Sequence, residues 1–114
     1  MYSIEPIRLT IGHYWIYTFF DMAFWTVIAD YRGGTYISQM RAVSAPKALM
    51  LWAKSFPHIR GSFIGAKTKR KLLAAAGDER EKPVPIKKTR NVWYWNPLGF
   101  RPAIVVHLVK TIQN

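Results

Sequence analysis

The chain has 114 residues, half of them hydrophobic and 15% aromatic, enough to build one packed domain and too much for a disordered polymer. It has no cysteine, which excludes thiol catalysis, thiolate metal centres and disulfide frameworks and tilts the expected compartment towards the cytoplasm. The 17 Lys and Arg against 6 Asp and Glu give a formal net charge of +11, and all of that excess falls in residues 45–114, because Arg8, Arg32 and Arg41 balance Glu5, Asp21 and Asp30.

The first 21 residues read as a peripheral N-terminal extension, since Met22 directly precedes the best-patterned strand of the chain. Within residues 9–29 runs an apolar stretch of about the length needed to span a membrane. Asp21 inside it and its aromatic, β-branched composition argue for strands instead, and the acidic Glu5 argues against a secretory signal. Residues 14–20 (YWIYTFF) read as one strand. Residues 24–31 (FWTVIADY) read as a second, with Trp25, Val27, Ala29 and Tyr31 on one face. Arg32-Gly33-Gly34 supplies a hairpin turn, and residues 35–43 return as the partner strand.

Ser44 then stands as a helix N-cap, with Pro46 in the first turn, where its missing N–H costs nothing. Leu49, Trp52, Ala53 and Phe56 recur at i, i+3, i+4 and i+7, an apolar stripe with Lys47 and Lys54 off it, and Pro57 ends the helix. A glycine-containing loop at 58–65 leads to a second helix over 66–76, stopped by Gly77. Residues 78–90 (DEREKPVPIKKTR) read as an exposed, mobile connection, charged and interrupted by prolines. Residues 91–96 and 103–112 form a closing strand pair around the turn Asn96-Pro97-Leu98-Gly99. The predicted architecture is therefore α+β: an antiparallel sheet of four to five strands, in the order strand-strand-strand-helix-helix-strand-strand, with two helices on one face, in a single domain spanning 1–114.

Few motifs carry chemistry. Gly61-Ser62-Phe63-Ile64-Gly65-Ala66-Lys67-Thr68 comes within one residue of a phosphate-binding loop, but Ala66 occupies the second glycine position and a proline-terminated helix precedes it instead of a strand. A nucleoside triphosphatase is excluded on that ground. His13, His58 and His107 have no metal-ligand spacing, so no metal and no cofactor is expected. His58 among basic neighbours could serve a small basic ribonuclease as general base, but the sequence places no partner acid beside it. No serine has the context of a nucleophile elbow, and no catalytic residue is assigned.

The charge pattern is more informative. Lys67, Lys69, Arg70 and Lys71 crowd the first turn of the second helix, whose dipole is already positive, an arrangement suited to an anion. A second group, Arg80, Lys82, Lys87, Lys88 and Arg90, runs into Trp93, Tyr94 and Trp95. Cations beside exposed rings are the usual means of gripping single-stranded nucleic acid. Strand alternation puts Trp93 and Trp95 on one face, ordinarily the core side, and turns Tyr94 outward.

The stretch Ala29–Lys54 (ADYRGGTYISQMRAVSAPKALMLWAK) resembles the opening of HicB-type antitoxins, with its strand, Gly-Gly-x-Tyr, strand and Ser-x-Pro-x-x-Ala-Leu helix, over about a quarter of the chain. The proline-glycine strand segment of that family is absent here, and the stretch also resembles small bacterial proteins of unassigned function. Composition and motifs together lead to a non-enzymatic binding module for a polyanion, nucleic acid first, through Lys67, Lys69, Arg70, Lys71, Lys87, Lys88, Arg90 and Tyr94. The alternatives are a protein–protein module of antitoxin or immunity type facing an acidic protein, and third the ribonuclease. A homodimer through an exposed strand edge would fit the protein–protein class.

Overall fold

A computed structural model describes residues 22–56 and 64–111. The strand expected at 14–20, His13, His58 and the start of the glycine loop at 61–63 lie outside the described residues. The rest forms an α+β fold in which β1 (Ala23–Tyr31), β2 (Gly34–Ala42), β3 (Val84–Pro85), β4 (Val92–Trp95) and β5 (Ile104–Thr111) make one antiparallel sheet in the order β2-β1-β5-β4-β3. Two helices, α1 (Ala45–Ser55) and α2 (Ala66–Ala76), complete it. The later part of the apolar 9–29 stretch is thus a central strand, and no described helix is long and apolar enough to cross a membrane.

Alternation decides the layers. On β1, Trp25, Val27, Ala29 and Tyr31 are buried, whereas Phe24, Thr26 and Ile28 on the other face stay partly accessible and Asp30 is exposed. Neighbouring strands keep the register, so Met40 from β2, Ile104, Val106 and Leu108 from β5 and Trp95 from β4 join the same buried face. Onto it α1 lays Leu49, Trp52, Ala53 and Phe56, all fully buried, together with Ala45 and Ala48. Each large apolar side chain buried this way contributes about 1.5–3 kcal/mol. The Trp25 indole also donates to the Ala42 carbonyl at 3.0 Å, tying the start of β1 to the end of β2.

The local signals act much as their chemistry requires. Tyr31 pairs with Gly34, which leaves a two-residue turn of Arg32 (φ 51°) and Gly33 (φ 79°). Both central residues are left-handed, the geometry that matches strand twist. The glycine pair is therefore divided: Gly33 supplies positive φ, Arg32 takes the other left-handed position, and Gly34 opens β2 where a Cβ would lie 2.6 Å from the Tyr36 hydroxyl. Ser44 caps α1, its hydroxyl accepting from the Lys47 N–H at 3.3 Å. Gly77 ends α2 with φ −97°, outside the left-handed region. A Cβ there would sit 3.1 Å from the Met50 methyl, the movable tip of a side chain on α1.

Residues 78–90 differ from the expected irregular connection. Asp78 caps a short 3-10 turn at Glu79–Glu81 by accepting from the Arg80 N–H at 2.9 Å, and β3 follows. Prolines do not prevent this, because β3 is an edge strand of two residues and an edge tolerates a missing donor. The Trp95 indole donates to the Glu81 carbonyl at 2.6 Å and anchors the turn against β4.

Candidate polyanion-binding surface

The basic residues of α2 have divided tasks. Lys69 donates to the carbonyls of Ala53 and Lys54, each at 2.6 Å, at the C-terminal end of α1. The last carbonyls of a helix lack intrahelical donors, and position 57, which would serve Ala53, is a proline with no N–H. That combination was the sequence signal for this clamp, and composition alone concealed it. Burial lowers the Lys69 ammonium below its ordinary pKa. Lys71 donates to the Gly99 carbonyl and stands 4.9 Å from the centre of the Phe100 ring. Lys67 and Arg70 are exposed.

The clamp leads to a stability expectation. Lys69→Met should lower the urea unfolding free energy by about 1–2 kcal/mol, reduced by solvent on its exposed side, while Lys67→Ala should stay within about 0.5 kcal/mol. Equal effects from both substitutions would contradict a clamping role for Lys69.

Lys87, Lys88 and Arg90 sit in the loop from Ile86 to Asn91 that joins β3 to β4, all three exposed. The loop is a defined turn: Ile86 N–H donates to the Val92 carbonyl at 3.0 Å, and the Thr89 hydroxyl donates to the Ile86 carbonyl at 2.8 Å. Lys88 (φ 64°) and Asn91 (φ 61°) take left-handed conformations. Lys110 of β5 adjoins the loop, its N–H donating to the Asn91 carbonyl at 2.8 Å.

No carboxylate pairs with these cations among the described residues, because the nearby acids are engaged elsewhere. Asp78 binds Arg80 at 3.1 Å, Glu79 binds Lys82 at 2.8 Å, and Glu81 accepts from the Leu98 N–H at 2.8 Å. The Arg80 guanidinium, by hydrogen bond first, holds the Asp78 carboxyl below its usual range. The Arg80 and Lys82 charges are thereby answered locally, and Lys87, Lys88, Arg90 and Lys110 are left as a positive end of the sheet.

The two basic groups lie at opposite ends of β4. The loop precedes Val92, whereas Lys71 reaches Gly99 beyond Trp95. The rings between them face both ways. Trp95 is buried edge-on to Trp52 at 6.4 Å, and Trp93, half-buried, packs on Trp25 at 5.1 Å on the same inner face. Tyr94 points to the opposite face, 37% exposed, with its ring 5.5 Å from that of His107. Among the described residues no grouping of His, Asp and Glu could hold a metal ion. No protein-family model matches the chain, and no curated protein or solved structure is significantly similar to it.

Proposed function

We propose that the protein is a non-enzymatic binding module for a polyanion, nucleic acid first, which it engages through Lys87, Lys88 and Arg90 with Lys110 and the outward Tyr94. The observation that carries this reading is the loop from Ile86 to Asn91, a turn with defined hydrogen bonds that presents three exposed cations with no described carboxylate paired to them. Such a site gains affinity by releasing counterions from phosphates. Lys67 and Arg70 form a second, separate contact point, since Lys69 and Lys71 are held by carbonyls.

Fluorescence anisotropy with single-stranded and duplex oligonucleotides across a salt series tests the reading. The triple change Lys87→Ala, Lys88→Ala and Arg90→Ala should weaken binding and make the slope of log K against log salt shallower by about 2 for a single strand, at about 0.7 per lost phosphate contact. Lys67→Ala with Arg70→Ala should have the smaller effect. Binding that is gone at physiological salt, or that ignores the loop triple, removes the nucleic-acid reading.

A specific observation favours a protein partner as the second reading. Ile37 (62% exposed), Val84 (58%) and Tyr94 lie on the sheet face away from the helices, and apolar side chains displayed together there suit a protein surface. An antitoxin- or immunity-type module would use that face.

A further inference from the structure

The register of the sheet gives the outward face of its β3–β4–β5 end a single character. Val84 faces Tyr94 and Tyr94 faces His107, a row across three strands on the side away from α1. The adjoining row pairs Val92 with Val109. By alternation, none of the outward residues of these strands is Lys, Arg, Asp or Glu. Val84 is 58% exposed and Tyr94 37%, with His107, Val92 and Val109 half-buried around them. The Tyr94 and His107 rings meet at 59°, a tilted contact that supports the phenol, and among the described residues no ring lies flat on it. Cations border this uncharged floor at one end. The loop from Ile86 to Asn91 runs into Val92, and Tyr94 follows two residues on, about 7 Å along the strand.

We infer, resting on the polyanion-binding role of that loop, that the ligand is single-stranded nucleic acid, with phosphates on Lys87, Lys88 and Arg90 and the adjacent base stacked on Tyr94. The site asks for a ligand that carries an anion and a flat π-face within one short repeat. Every nucleotide carries both, and the separation between the loop and the ring is one that a nucleotide spans from phosphate to base. An acidic peptide has the anions but no ring in each repeat.

The strand state follows from the same geometry. Each base of a duplex lies between its neighbours and leaves no π-face for Tyr94. A duplex would also lay a phosphate-lined surface against a floor that has no cation to answer it. A single strand turns its phosphates to one side and splays an unstacked base to the other. Stacking on one ring is worth about 5- to 150-fold in affinity and tolerates any base, since every base has a π-face. It releases no counterions, so it adds affinity without steepening the salt dependence. The loop and the ring therefore leave separable signatures, the loop in the salt slope and Tyr94 in the preference for bases.

Probes of equal length separate these contributions: a single strand of thymidines, an abasic strand with the same sugar-phosphate backbone, and a duplex. Anisotropy on the full-length protein at physiological salt should show the thymidine strand bound about 5- to 150-fold tighter than the abasic strand, and tighter than the duplex. Tyr94→Leu keeps an apolar outward side chain but no ring. It should bring the thymidine strand down to the abasic affinity with the salt slope unchanged, and Tyr94→Phe should retain the preference. The abasic comparison uses the unmodified protein, so it stands whatever the substitutions do to the fold. Suppose the loop triple weakens binding, but the abasic strand or the duplex is held as tightly as the thymidine strand, or Tyr94→Leu keeps the preference. The single-strand inference is then overturned while the polyanion reading remains. Polyglutamate that displaces the thymidine strand as effectively as unlabelled strand points to an acidic protein and overturns it as well. Binding that is absent for every probe, or indifferent to the loop triple, overturns both.

Discussion

Trp52→Ala is expected to lower the unfolding free energy by about 3–5 kcal/mol, a large share of the total for a domain of this size, and to leave little cooperative transition in urea. Trp52 is fully buried at the centre of α1, in contact with Phe56 at 4.9 Å and Trp95 at 6.4 Å, so truncation leaves a cavity lined by rings that cannot all close in. The more informative substitution is Trp52→Phe. Among the described residues the Trp52 indole N–H has no hydrogen-bond partner, whereas that of Trp25 donates to Ala42. Trp52→Phe removes volume and also an unsatisfied donor, and Trp25→Phe removes volume and a made bond. Trp25→Phe is therefore expected to cost more by about 1 kcal/mol, measured by urea or thermal unfolding. The opposite order would mean that the Trp52 N–H is satisfied in solution.

Leu72→Ala should follow at about 2–5 kcal/mol, with a different signature. Leu72 and Ala76 are the buried residues of α2, and Leu72 is the larger by far. Lys69 and Lys71 pin the same helix through single hydrogen-bonding groups. A helix held by so few side chains opens locally before the sheet does. Hydrogen exchange on the Leu72→Ala protein should show α2 amides losing protection while β1 and β5 keep theirs. Loss of protection in β1 together with α2 would show that the helix and sheet unfold as one unit.

These two expectations mark how differently sequence and tertiary structure contributed. The hairpin at Arg32-Gly33, the Ser44 cap, the stripe of α1 and the limits of α2 are local matters of backbone conformation, capping and periodicity. Nearest neighbours decide them, and they stood in the sequence almost residue by residue. Alternation likewise indicated that Trp93 and Trp95 share the inner face and that Tyr94 turns outward.

The 78–90 segment was misleading because its prolines and charges are those of a loop, while β4 was the template that turned part of it into an edge strand. The charge was misleading in the same way. Composition established that 17 cations face 6 acids, but a charge count is blind to partners. Only the packed chain brought Lys69 to the carbonyls left open before Pro57 and Lys71 to Gly99, and only it confined Asp78, Glu79 and Glu81 to their own turn. Hydrogen bonds and ion pairs act over about 3–4 Å, so which of many similar cations has a partner depends on contacts between distant segments, and no periodicity encodes them. The sequence by itself determined the elements and the sign of the surface. The tertiary structure decided which charges were spent on the fold and which were left exposed on the Ile86–Asn91 loop.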